Sequence, residues 1–282
     1  MNEVQRLDRM IEQRRQALGV VAAPVGESFA PHCIPPTTSR ARSICSNGDA
    51  HCRKCGEVVP AGDDHRGFEG KATHRPVWCR RCREHTRLAA RRQERMAKRD
   101  GMIAAVARVL PPLFQRAHLR DLPLKLRERF LTLRPGRGLL LWGGVGTGKS
   151  HALAAWIRYI VCNGGGVKAQ RIPYADLLLR VRGTYNGGGN EEQVLRSYRT
   201  CGLLVLEDLG ANVSAGTMES DFSVRILEGL LDFRIERGLP TFASSNKTPD
   251  ELAKSFDERV ASRMAAAFDC VAIRGKDRRR QQ

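Results

Sequence analysis

The chain has 282 residues, 41% of them hydrophobic and 6% aromatic, with a formal net charge of +18. That is enough for one large or two ordinary domains with a real core, and no apolar run approaches the roughly 18 to 20 residues that cross a bilayer. The charged opening MNEVQRLDRMIEQRR lacks the basic head and apolar stretch of a secretory leader, so a cytoplasmic protein is expected.

Val4, Leu7, Ile11 and Leu18 recur at helical spacing and predict a short amphipathic helix over residues 1–20. A Pro-, Ser- and Gly-rich lead-in follows. Residues 30–86 then hold six of the nine cysteines, and without a secretory signal these point to metal rather than disulfides. Cys52-x2-Cys55 and Cys79-x2-Cys82 can each supply two thiolates from a tight turn, and together they complete a closed tetrahedral Zn2+ site of the structural kind. A redox-active CxxC is the alternative. Cys33 and Cys45, with His32 or His51, have the ligand types for a second site, without a clear spacing.

Arg83 to Lys98 reads as a basic helix that leads into a basic helical linker over 87–111, and Asp100 and Gly101 should break it. Such a cluster of arginines, with a second one from Arg274 to Arg280, attracts polyanions through phosphate neutralisation and counterion release. From about residue 112 to 282, strand-like and helix-like segments alternate. Strands are predicted at 138–142, 167–171, 202–207 and 240–245, and helices at 149–162, 174–184, 190–199 and 220–237. This is the pattern of an α/β domain whose parallel sheet is covered by helices.

The segment GLLLWGGVGTGKS, Gly138 to Ser150, places Gly143, Gly144, Val145, Gly146, Thr147, Gly148, Lys149 and Ser150 directly after an aliphatic strand. Glycines let the backbone turn several N–H groups toward phosphate oxygens at a helix N-terminus, Lys149 reaches the β and γ phosphates, and the Ser150 hydroxyl ligates Mg2+. In LLVLEDLG the aliphatic strand ends on Glu207 and Asp208. By position Glu207 takes the magnesium role and Asp208 orients and deprotonates the attacking water. The order is inverted, since the shorter acid usually comes first, so slow hydrolysis is expected. PTFASSN puts Asn246 at the tip of another strand, where it can report on the γ phosphate. Thr248, Pro249 and Glu251 form a capping box that starts a helix, and Arg259 and Arg263 lie four residues apart on one later helical face.

The second half, roughly Pro112 to Arg280, resembles the AAA+ ATPases of the DnaC-like helicase-loader and IstB-like transposition-helper group. FQRAHLRDLP, GGVGTGKS, LLVLEDLG, the ASSN strand end, DERVASRM and RGKDRRR carry the resemblance. It implies an AAA+ P-loop domain behind a small zinc-ribbon-like N-terminal domain. It further implies that Asn246 is the sensor-1 residue, that Arg263 is the finger reaching a neighbouring subunit's ATP with Arg259 as its runner-up, and that Arg279 is the sensor-2 arginine. Some helicase loaders carry a zinc-binding N-terminal domain that contacts the helicase, whereas the transposition helpers usually have a helical one. The implied activity is assembly- or DNA-dependent ATP hydrolysis with Mg2+, in a ring or spiral around single-stranded DNA, with Arg180, Arg182 and Tyr185 as candidate contacts. The leading expectation is an ATP-dependent loader of a replicative helicase. A transposition helper that directs a transposase is the alternative, and a zinc-dependent nucleic-acid-binding protein that uses ATP only for its shape is a third.

Overall fold

The computed structural model describes residues 50–52, 54–59, 79–163, 166–187, 189–211, 217–275 and 277. The helix expected over 1–20, the residues His32, Cys33 and Cys45, and Arg279 lie outside them. The described residues divide after Gly101 into two compact units.

In the first unit, β1 (Ala50–His51) pairs antiparallel with β2 (Val58–Val59). Between them Gly56 turns at φ 77°, a left-handed conformation that costs glycine nothing. Helix α1 runs from Arg80 to Val109 without interruption, so the expected break at Asp100 and Gly101 does not occur. A single mid-helix glycine costs only about 1 kcal/mol relative to alanine and Asp100 adds less, while Ala97, Lys98, Arg99, Met102, Ala104 and Ala105 around them are good helix formers. The helix ends instead before Pro111 and Pro112, after Val106 has become buried.

The second unit carries short 3-10 turns at Pro112–Phe114 and Leu119–Asp121 and helix α2 (Leu124–Leu131). There follow β3 (Gly138–Trp142), α3 (Lys149–Asn163), β4 (Ala169–Pro173), α4 (Tyr174–Arg182), α5 (Glu191–Thr200) and β5 (Leu203–Glu207). The unit closes with α6 (Asp221–Glu236), β6 (Thr241–Ser245), α7 (Pro249–Ser255), α8 (Glu258–Ala267) and β7 (Phe268–Ala272). The five long strands form one sheet in the order β4-β5-β6-β3-β7, every pair parallel. This is the helix-covered parallel sheet expected of an AAA+ P-loop domain.

Both faces of the sheet are covered, which is why its central strands are aliphatic throughout rather than alternating. Leu139, Leu141, Leu203, Val205 and Phe242 pack to one side with α3 and α2, where Phe130 and Trp156 stack at 5.1 Å. Leu140, Leu204, Leu206 and Ala243 face the other side with α4, α6 and α8. Arg234 of α6 is fully buried, yet its guanidinium donates to Thr241 Oγ1 and to the carbonyls of Tyr198, Cys201 and Pro240 at 2.8 to 2.9 Å. It supplies donors to strand and helix ends whose carbonyls would otherwise be stranded. The capping box at α7 is present: Thr248 N donates to Glu251 at 2.7 Å and Glu251 N donates back to Thr248 at 3.2 Å.

Candidate nucleotide site and cysteine cluster

Strand β3 is an interior strand, with β6 on one side and the edge strand β7 on the other, and its C-terminal end delivers the chain into the glycine loop. Gly143 at φ 145°, Gly146 at φ 72° and Gly148 at φ 99° all adopt conformations that side chains resist. Space is as restrictive as torsion: a Cβ on Gly143 would lie 2.3 Å from the Ile273 carbonyl oxygen. The loop is tied to the sheet by Gly143 N donating to Ser245 O at 3.2 Å, and its end turns into α3 at Lys149.

Lys149 is buried, and its ammonium donates to the carbonyls of Gly143 and Gly144 and to Asn246 Oδ1, each at 2.8 Å. Two residues 97 positions apart, singled out separately in the sequence, therefore meet at the phosphate loop. The β5 acids stand on the adjoining strand end. Glu207 is buried, with Oε2 accepting from the Arg171 guanidinium of β4, while Oε1 is buried without a hydrogen-bond partner. Burial pushes the Glu207 carboxyl up; Arg171 pulls it back, the Asp208 charge adds to the rise, and the Ser150 hydroxyl weakly opposes it. A stranded carboxylate oxygen beside a serine hydroxyl is a set of hard oxygen donors that suits Mg2+.

Asp208 sits differently. Its side chain is exposed, and its backbone has φ 55°, the one left-handed non-glycine residue among those described. Its N–H donates to Ser244 Oγ at 3.1 Å, Leu209 N donates to Ser244 O at 2.8 Å, and Ser245 Oγ donates to Leu209 O at 2.7 Å. The two buried serines of β6 thus hold the turn that separates the acids, pointing Glu207 inward and Asp208 outward.

Beside Thr147, Gly148, His151 and Ala152 lies a cavity of about 570 Å³, walled by Leu122, Leu126, Arg129, Ile273 and Arg274. No local motif in the sequence marks these residues as walls of a cavity. Its mostly apolar lining next to a phosphate loop has the size and character of a pocket for the base and ribose of a nucleotide.

Arg263 of α8 forms an ion pair with Asp232 of α6, whereas Arg259, one turn earlier, is exposed with no ionic partner among the described residues. Arg180 donates to Tyr198 Oη at 2.7 Å, Arg182 lies 4.9 Å over the Phe222 ring, and Tyr185 Oη donates to Glu191 at 2.5 Å. All three candidate DNA contacts are therefore engaged within the domain.

In the first unit, Cys52, Cys55, Cys79 and Cys82 bring their sulfurs within 4.8 Å of one another. Tetrahedral zinc with Zn–S bonds of about 2.3 Å requires sulfurs about 3.8 Å apart, and Cys55 and Cys79 lie at 3.6 Å. The knuckles are made by Gly56 N donating to Cys52 O at 2.8 Å and Cys82 N donating to Cys79 Sγ at 3.4 Å. Burial pushes Cys52 up, but backbone donors at Cys79, Cys55 and Lys54 outweigh it and bring the thiol down to about 6. At Cys79 the donor at Cys82 is overcome by burial and by Glu57 and Cys55, leaving it raised to about 11. One ready thiolate among crowded thiols is a cluster that a divalent cation would relieve.

Over 123 residues the chain is 32% identical to the replicative helicase loader DnaC of Escherichia coli K12, a match covering 43% of this chain and 47% of DnaC. The replicative helicase loader DnaI of Bacillus subtilis is also 32% identical over 123 residues, 43% of this chain and 37% of DnaI. The chain thus matches less than half the length of these curated relatives. A crystal structure of the DnaC helicase loader superposes with a TM-score of 0.49 at 20% identity, covering 58% of this chain and 100% of that one. No family model matches the chain. Within the matched segment the protein is similar in sequence to the replicative helicase loaders DnaC and DnaI.

Proposed function

We propose that the protein is an ATPase that loads a replicative DNA helicase onto single-stranded DNA in the initiation of replication. The observation that carries this reading is the 32% identity to proteins named as replicative helicase loaders. The same relatives favour the loader over the transposition helper.

In this reading the glycine loop from Gly143 to Ser150 cradles the triphosphate, and Lys149 exchanges its loop carbonyls for phosphate oxygens while keeping Asn246 within reach. The base and ribose take the cavity between Leu122 and Ile273. Ser150 and Glu207 would hold Mg2+, which would supply charge neutralisation at the β and γ phosphates. Asp208, exposed at the strand tip, orients and deprotonates the attacking water. Arg263, or else Arg259, enters the site of a neighbouring subunit, so turnover depends on assembly, and Arg279 completes the phosphate contacts from the C-terminal segment. The four-cysteine module holds zinc and serves as the helicase adaptor, in a cytoplasmic protein. A pull-down of the replicative helicase with and without ATP tests the assignment, with Lys149→Ala as control. Nucleotide-sensitive capture that is lost in the variant is expected; capture of no helicase under either condition would sink the reading.

A further inference from the structure

Helix α1 carries a feature that the nucleotide site does not use. Between Arg80 and Arg99 it holds nine basic residues against two acidic ones, and every residue from Arg87 to Ala104 is exposed. At 3.6 residues per turn, all nine basic positions fall within about half of the helix circumference, while Thr86, Ala89, Ala90, Gln93 and Ala97 occupy the opposite half. The two acids pair within the basic half, Glu84 with Arg80 at 3.3 Å and Glu94 with Lys98 at 2.7 Å. Arg81, Arg87, Arg91, Arg92, Arg95 and Arg99 have no ionic partner among the described residues. From Arg80 to Lys98 the face is about 27 Å long at 1.5 Å per residue, with charges repeating every three or four residues.

We propose that this face docks on the phosphate backbones of a B-form DNA duplex. Unpaired arginines arrayed over half a cylinder complement an anionic surface that closes around a helix, and a major groove about 12 Å wide, walled by two phosphate backbones, is such a surface. An A-form duplex has a major groove too deep and narrow for this. Single strands are bound by stacking bases on aromatic side chains, and α1 contains no Phe, Tyr or Trp from end to end. The face therefore recognises phosphate charge without base stacking. Duplex binding by this face stands apart from the loader reading, since it uses none of the nucleotide-site residues.

The test uses the full-length, zinc-loaded protein and a fluorescent duplex, with affinity measured by anisotropy across a salt series. The combined variant Arg87→Gln, Arg91→Gln, Arg95→Gln and Arg99→Gln removes four exposed charges and keeps good helix formers; retained ATP binding and helicity report an intact fold. It should bind the duplex at least about tenfold more weakly, with a salt slope shallower by about 3 to 4. Lysine at the same four positions should preserve both. Duplex affinity and slope equal to the parent's would overturn the proposal. So would a lysine variant as weak as the glutamine one, an equal loss on a single strand, or lost capture of a partner protein with duplex binding intact.

Discussion

Arg171 on β4 and Glu207 at the tip of β5 form an ion pair with side chains only 16% and 4% exposed. The guanidinium holds one carboxylate oxygen and leaves the other buried without a partner, so the longer acid is positioned by a side chain of the neighbouring strand. Removing one partner of a buried pair strands the other charge, so Arg171→Ala should cost about 3 kcal/mol in urea denaturation. Mg2+ should raise the melting temperature of this variant more than that of the parent, because a cation would replace the lost guanidinium. Equal responses would mean that Glu207 does not meet the metal.

The left-handed backbone at Asp208 bears on the inverted acid order. Short polar side chains tolerate that conformation better than long ones, so Asp208→Glu alone should lose about 1 kcal/mol of stability. The paired exchange Glu207→Asp, Asp208→Glu should speed turnover if the native order restrains it. Steady-state hydrolysis of both variants against the parent decides the matter, and no gain in the double variant would show that position 208 requires Asp.

Arg263→Ala should leave nucleotide affinity largely intact and reduce assembly-dependent hydrolysis, since a finger acts only on a neighbour's ATP. Its present ion pair with Asp232 would have to open in the assembly. If turnover is unchanged while Arg259→Ala lowers it, the finger is the exposed arginine one turn earlier.

Metal analysis should find about one zinc per chain, and Cys79→Ser should lose it and unfold the first unit while ATP binding persists. Retained zinc in that variant would remove Cys79 from the ligand set.

Glu219 is buried with Oε1 unpartnered, and burial pushes its carboxyl up while Ser223 and Lys247 pull it back. The folded state therefore holds this proton more tightly than the unfolded chain. The stability this adds is complete below the ordinary glutamate value of about 4.3 and is lost as pH rises through the folded value. Glu219→Gln should match the parent in acid and exceed it at neutral and alkaline pH, as read from urea midpoints. A pH-independent difference would exclude titration as the cause.

The sequence made legible whatever rested on a continuous local pattern. Gly138–Trp142 is an aliphatic run followed by glycines, and Thr248, Pro249 and Glu251 carry their own start signal. Strand β7 was not foreseen because Asp269 and Cys270 interrupt its apolar run. It lies at the sheet edge, paired to β3 alone, where such residues face partly outward. The walls of the cavity beside the glycine loop have no local signal for another reason: Leu122 and Ile273 are distant in sequence and are brought together only when β7 docks beside β3. The serines that turn Asp208 outward lie in the ASSN strand end, but their role depends on β5 lying alongside.

From Arg87 to Ala104, α1 has no packed face, so its order rests on its own backbone bonds and on the helix preference of its residues. Helices supported in that way are marginal in water and open by local fraying. Deuterium should therefore enter these amides far sooner than those of β3 or β5, on a timescale set by temperature and by the repulsion among the arginines. The protein has, between its cysteine cluster and its nucleotide sheet, a stretch whose persistence is independent of either core.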